Sequence, residues 1–240
     1  MAMTAGGSSS AVPRGEGGSR GLVFVTGGTG YLGVPFIAAL LRRGHRVHAL
    51  VRRGSETRLP PGAVPVVGDA LEASTFAAAM PAGASVVHLV GTPHPNPTKA
   101  AKFRRVDLAS IRATVAAAAP AGARHLIYVS VAHPAPIMHA YIAVRREGEA
   151  LVEAAGIPAT ILRPWYILGP GHRWPYLLLP AYWLLGCLPR TREAATRLGL
   201  VTRRAMVAAL VQAVERPPTR GIRILGVPDI RCADADAFLP

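Results

Sequence analysis

The chain has 240 residues, half of them hydrophobic and 17% charged. That is enough apolar material for one buried core, which excludes a disordered chain, and too little length for a second full-sized domain. Lys and Arg number 27 against 13 Asp and Glu, a formal net charge of +14 that attracts anions. The arginine pairs are scattered and form no single stripe, so a site for a phosphorylated small molecule accounts for them better than specific nucleic-acid recognition.

Residues 1–20 are rich in Gly, Ser and Ala without an apolar run of signal-peptide length, and read as a flexible tail on a cytoplasmic protein. From there, short β-branched apolar runs alternate with longer Ala-rich segments, the pattern of βαβ units on a buried parallel sheet. A first strand, Leu22–Thr26, leads into a helix over Gly30–Arg43 with Phe36, Ile37, Leu40 and Leu41 on one face. Strands follow at Arg46–Arg52 and Val64–Val67, a helix at Leu71–Met80, a strand at Ser85–Val90 and a longer helix at Ala100–Ala119. The strand His125–Ser130, the helix Tyr141–Ala155 closed by Gly156, and the strand Ala159–Arg163 complete a core spanning 21–163. Residues 164–240 then hold a small pocket-forming segment, a helix at Arg203–Glu215 and a returning strand at Ile222–Leu225. The expected fold class is α/β: a doubly wound, Rossmann-type parallel sheet with helices on both faces and a small C-terminal appendage on the substrate side.

Between the first strand and its helix stands Thr26-Gly27-Gly28-Thr29-Gly30-Tyr31-Leu32-Gly33, a GxxGxxG spacing. Gly27 suits a tight turn, Gly30 a close approach of backbone to a diphosphate, and Gly33 close packing of helix on strand. The amides from Thr29 through Leu32 and the helix start supply donors and partial positive charge. With Val67-Gly68-Asp69, Val87-His88-Leu89-Val90-Gly91-Thr92 and Thr160-Ile161-Leu162-Arg163-Pro164 following in order, the chain resembles the short-chain dehydrogenase/reductase superfamily, in its extended and atypical branches of epimerase/dehydratase-like and NmrA-like proteins. The resemblance spans about residues 21–230. It implies that Asp69 contacts adenine, that Val90 and Gly91 flank the cofactor, and that Pro164 sits near the nicotinamide.

The end of the second strand selects the dinucleotide, because a carboxylate there binds the ribose 2′-hydroxyl of NAD and an Arg accepts the 2′-phosphate of NADP. The chain places Arg52 and Arg53 there, with no Asp or Glu between Gly33 and Glu56, so NADP(H) is preferred over NAD(H). The family's Tyr and Lys, four residues apart on one helix face, correspond to Tyr141 and Arg145. Arg keeps the charge and can bind ribose hydroxyls, but it does not deprotonate in proteins and cannot relay a proton. The family's Ser falls near Val131 or Ala132, with Ser130 slightly early, and its Asn falls at Asp107.

No rival centre emerges. The histidines, among them His45, His48, His133 and His139, lack ligand spacing, so no metal is expected. Cys187 and Cys232 lack it too, and read as free thiols in a reducing compartment. Trp165, Tyr166, Trp174, Tyr176, Tyr182 and Trp183 fit a substrate pocket, a packed aromatic cap or a dimer contact equally well. The apolar run Trp174–Leu188 is too short for a span of roughly 20 residues and carries Pro175 and Pro180, so membrane association is not expected. Two functions stay open: an NADP(H)-dependent oxidoreductase or epimerase-like enzyme using Tyr141 and Arg145 on a small-molecule substrate, and a non-catalytic NAD(P)H-binding sensor or structural subunit. A third adds association with nucleic acid or an anionic membrane through the basic surface.

Overall fold

A computed structural model describes residues 21–170, 193 and 196–236. Seven strands form one sheet: β1 (Leu22–Thr26), β2 (Arg46–Val51), β3 (Val64–Val67), β4 (Ser85–His88), β5 (His125–Val129), β6 (Ala159–Leu162) and, late in the chain, β9 (Ile222–Leu225). Their order is β3-β2-β1-β4-β5-β6-β9 and every pairing is parallel. The chain leaves β1 toward β2 and β3 on one side and returns to β4 on the other, so a crevice opens beyond the C-terminal ends of β1 and β4.

Side-chain alternation splits the core into two layers. Val23 and Val25 face α1 (Gly33–Arg42), a helix α5 (Arg203–Glu215) and a last helix α6 (Val227–Asp236), meeting Phe36, Ile37, Leu40, Met206, Leu210 and Ile230. Phe24 faces the other way, toward α2 (Ala100–Lys102), α3 (Ala109–Ala118) and α4 (His139–Ala154), with Phe103, Ile111, Val144 and Val152. Such side chains, buried against both faces, each contribute about 1.5–3 kcal/mol of transfer free energy. Between α2 and α3 the helix widens into a π-helical stretch, Phe103–Leu108, that carries Asp107.

The expected strands stand where the apolar runs placed them, each within two residues. One helix does not: Leu71–Met80 is two 3₁₀ turns, Ala73–Thr75 and Ala77–Ala79. Thr75 is the reason. Its hydroxyl accepts from the Asp69 amide at 2.9 Å and donates to the Glu72 carbonyl at 2.7 Å, offering the backbone a local alternative to helix, while Phe76 and Met80 remain buried. A parallel pair outside the main sheet, β7 (Tyr166–Leu168) with β8 (Leu200–Thr202), and α6 have no counterpart among the expected elements. Trp174, Tyr176, Tyr182, Trp183, Cys187 and the 1–20 tail lie outside the described residues, and no described helix is long and apolar enough to cross a membrane.

Candidate functional site

The glycines act as their spacing requires. Gly27 takes φ +77°, and its carbonyl accepts the Gly30 amide at 3.0 Å, closing a turn directly after β1. A Cβ on Gly27 would lie 2.8 Å from the Leu89 carbonyl carbon, and the Leu89 amide donates to the Thr26 carbonyl at 3.0 Å, so the Gly27 turn and the Leu89–Val90–Gly91 loop are pressed together at the crevice. Gly33 seats α1 on the turn, since a side chain there would strike the carbonyls of Gly27 and Gly28. Gly28, a residue with no assigned role in the spacing, faces the core instead, where a Cβ would lie 2.9 Å from Ile37 Cδ1. Gly30 is exposed at the mouth, with Thr29, Tyr31 and Leu32 half-buried around it, and the Arg203 guanidinium stacks 5.0 Å from the Tyr31 ring centroid.

No side chain caps α1 and no acidic residue lies in its first turn, so the positive end of the helix meets no anionic competitor; Val34 and Phe36 donate to the Gly30 and Leu32 carbonyls at 3.3 and 3.1 Å, and Pro35 has no amide, which leaves the Gly33 amide as the helix's own donor there. Beyond β2, Arg52 and Arg53 are exposed, as is Asp69 after β3, whose carboxylate accepts the Leu71 amide at 2.9 Å. Arg58 joins this rim: its guanidinium donates to the Thr29 carbonyl at 3.1 Å. Arg58 lies beyond the end of β2, outside the positions that the strand pattern marks. Its signal in the sequence is a third arginine five positions past the Arg52–Arg53 pair.

On the opposite wall, α4 carries Tyr141 and Arg145. Arg145 is buried, with its side chain 6% exposed, and each of its three nitrogens already has a partner. Nη2 meets Asp107 at 2.7 Å, Nη1 the Val129 carbonyl at 3.0 Å, and Nε donates to the Tyr141 hydroxyl at 3.1 Å. Tyr141 and Tyr128 also present their rings to it, at 5.1 and 5.8 Å. Asp107, 0% exposed, accepts in addition from the Thr92 amide at 3.1 Å and the Thr92 hydroxyl at 2.6 Å. Burial alone would weaken the Arg145 cation, but Tyr141, Tyr128 and Asp107 raise its pKa above the ordinary arginine value. The buried pair joins β5, the loop after β4, the π-helical stretch and α4, and the Gly91 backbone packs directly on the guanidinium. Tyr141 itself is half-buried, its ring edge-on to Phe103 at 5.0 Å.

Below this wall His88 lies fully buried, its Nδ1 2.9 Å from both the Thr26 and Thr114 hydroxyls, and burial followed by Arg145 pushes its pKa down to about 3. One turn beyond Arg145, Glu149 accepts two bonds from Arg163 at 2.9 and 2.6 Å and stands 3.4 Å from His133 Nε2. Burial opposes its charge, but Arg163 foremost keeps the carboxyl below its ordinary pKa, with Ser130 and His133 adding to the effect. A cavity of about 570 Å³ opens beside them, lined by Ala132, His133, Arg163, Arg197 and Val227 among others. Pro164 is buried, and its carbonyl accepts the Ala132 amide at 2.9 Å. Among the described residues no His, Cys, Asp or Glu group could hold a metal, and Cys232 is exposed and free. His45 is buried against Glu215 at 3.4 Å, while His139 opens α4.

Solved structures share this architecture. A short-chain dehydrogenase/reductase superfamily protein from Agrobacterium tumefaciens with bound NAD is 20% identical and superimposes with a TM-score of 0.63, over 85% of this chain and 77% of that one. The Bordetella bronchiseptica enzyme WbmH, in complex with NAD+, is 18% identical with a TM-score of 0.63, over 86% and 75% of the two chains. MoeE5 in complex with UDP-glucose and NAD is 20% identical with a TM-score of 0.62, over 91% and 82%. The family model described as NAD(P)H-binding matches residues 27–174, from the first glycine of the turn through β7, which is more than half of the chain. This protein belongs to the NAD(P)H-binding family.

Proposed function

We propose that the protein binds NADP(H) and acts as a dinucleotide-responsive binding protein instead of a dehydrogenase of the Tyr–Lys type. The observation that carries this reading is the engagement of Arg145. Its guanidinium is buried against Asp107 and bonded to Val129 and Tyr141, so the group standing where a ribose-holding, proton-relaying Lys would be can do neither freely. For binding, the amides of the Gly27–Gly33 turn would hold the diphosphate and Val90 and Gly91 would flank it. Asp69 would meet the adenine, and Pro164 and Tyr141 would lie on the nicotinamide side. Arg52, Arg53 and Arg58 would read the 2′-phosphate, since no carboxylate stands at the end of β2 to prefer a hydroxyl. When bound, the nicotinamide supplies hydride chemistry.

A second reading, an oxidoreductase or epimerase-like enzyme, is favoured by one detail. Tyr141 accepts from Arg145, which leaves its own hydroxyl hydrogen to donate to a carbonyl on a small-molecule substrate. MoeE5, of the same fold, was solved with UDP-glucose beside NAD, which makes nucleotide sugars the first substrates to try. Calorimetric titration and a turnover panel of carbonyls and nucleotide sugars separate the readings. NADPH is expected to bind tighter than NADH, to lose about tenfold or more in affinity in Arg52→Ala/Arg53→Ala, and to support no turnover. Equal affinity for NADH overturns the cofactor assignment. Turnover abolished by Tyr141→Phe establishes the enzyme instead.

A further inference from the structure

Because every strand pairing is parallel, the strand starts and the helix ends that feed them gather at the end of the sheet opposite the dinucleotide turn. Arg42 closes α1, Arg46 opens β2, Arg124 precedes β5, Arg216 follows α5 and Arg220 lies in the turn before β9. All five are exposed, and none forms an ion pair among the described residues. Against them this end brings Glu153 and Glu215, and Glu215 is already bonded to Arg43 and His45. Arg42 and Arg216 sit at helix C-termini, where the backbone dipole accounts for a cation. Arg46, Arg124 and Arg220 stand at or just before strand starts, where no helix terminus requires one. The uncompensated charge reaches neighbouring groups: burial, then Arg223 and Arg124, push the pKa of His125 down to about 4, and burial followed by Arg216 lowers that of Arg223.

The shape of the patch narrows its partner. From β2 to β9 it crosses five strand spacings, roughly 24 Å at about 4.8 Å per strand, so it is broad and is not a groove. Among the described residues no Phe, Tyr or Trp is exposed, so the face offers no such platform on which unpaired bases could stack. The edge strands expose apolar residues along their length, Val64 at 47% and Val67 at 43% on β3, Ile222 at 36% and Ile224 at 48% on β9, and Val64 and Ile222 stand at the two margins of the basic face. A wide basic face with apolar margins fits the headgroup layer of a bilayer.

We propose that this face docks the protein peripherally on an anionic membrane surface, with the dinucleotide crevice turned toward solvent. The test is flotation of the full chain with phosphatidylcholine vesicles, with and without phosphatidylserine. Binding is expected only with phosphatidylserine and is expected to be lost as salt screens the charges. Arg46→Gln/Arg124→Gln/Arg220→Gln should weaken it by about fivefold per arginine, while NADPH affinity, read by calorimetry on the same preparation, stays unchanged. A charge-matched control on another surface, Arg104→Gln/Arg105→Gln/Arg112→Gln, should float like the wild type. Absence of binding to anionic vesicles overturns the proposal, as does an equal loss in the control, which would mean net charge alone is at work. So does tighter binding to a short DNA or RNA duplex that the same triple variant weakens, since the face would then serve nucleic acid.

Discussion

At the scale of single residues, Arg145 shows how a change of side chain alters the chemistry open to a site. A Lys at that position would carry one flexible ammonium. The guanidinium instead spreads its donors over Asp107, Tyr141 and Val129 and becomes part of the wall. Removing its counter-charge should therefore cost stability. Asp107→Ala is expected to destabilise the fold by about 3–5 kcal/mol, because it leaves a buried cation unpaired, and urea unfolding would measure it. A loss below about 1 kcal/mol would show that solvent reaches the pair and that Arg145 is freer to meet a ribose than its geometry indicates. Both partners were legible in the sequence as single residues, Arg145 from its spacing to Tyr141 and Asp107 from its position in the helix before β5. Their pairing was not, because 38 positions separate them and only the packing of the π-helical stretch against α4 brings the side chains to 2.7 Å.

At the scale of elements, the strand–turn–helix unit at the start of the chain is where function is most exposed to a single methyl group. Gly33→Ala places a Cβ against the carbonyls of Gly27 and Gly28, neither of which can yield without opening the turn. NADPH affinity is expected to fall by at least about tenfold, with a loss of stability of about 1–3 kcal/mol, read by calorimetry and by thermal unfolding. Unchanged affinity would mean that the diphosphate does not rest on this turn. Short 3₁₀ turns replace the helix expected at Leu71–Met80 because Thr75 bonds to nearby backbone, a competition invisible to a count of helix formers. The α6 helix was within reach: Val227, Ile230 and Ala233 recur at helical spacing and are buried. The three-residue strands β7 and β8 were not, since so short a run has no readable period and exists only by pairing with its partner.

At the scale of the whole molecule, buried bases couple the core to pH. His88, pushed down to about 3 by burial and then by Arg145, and His125, pushed to about 4 by burial and then by Arg223 and Arg124, are neutral in the folded protein. Once unfolded they bind protons near the ordinary value of 6.5. Their contribution is therefore complete above pH 6.5 and declines as the pH falls from 6.5 toward 4 and 3. Glu149, a carboxyl held low in the folded state, adds a further loss only at more acidic pH, on passing below its ordinary 4.5. Unfolding free energy measured against pH should slope downward from pH 6.5, and His88→Gln should flatten the part of that slope down to about pH 3 that belongs to His88. A wild-type profile level between 6.5 and 4 would contradict this account.

By itself the sequence determined the sheet and the glycine turn that follows its first strand. Strand alternation and glycine spacing are local properties: each is set by neighbours a few positions away and is written in the chain before it folds. Tertiary structure alone decided that Arg145 is spent on Asp107, that Arg58 reaches the turn at Thr29, and that arginines scattered from position 42 to 220 share one face. Those relations join residues far apart in sequence, and only a parallel sheet, which puts every strand start at one end and every strand finish at the other, brings them together.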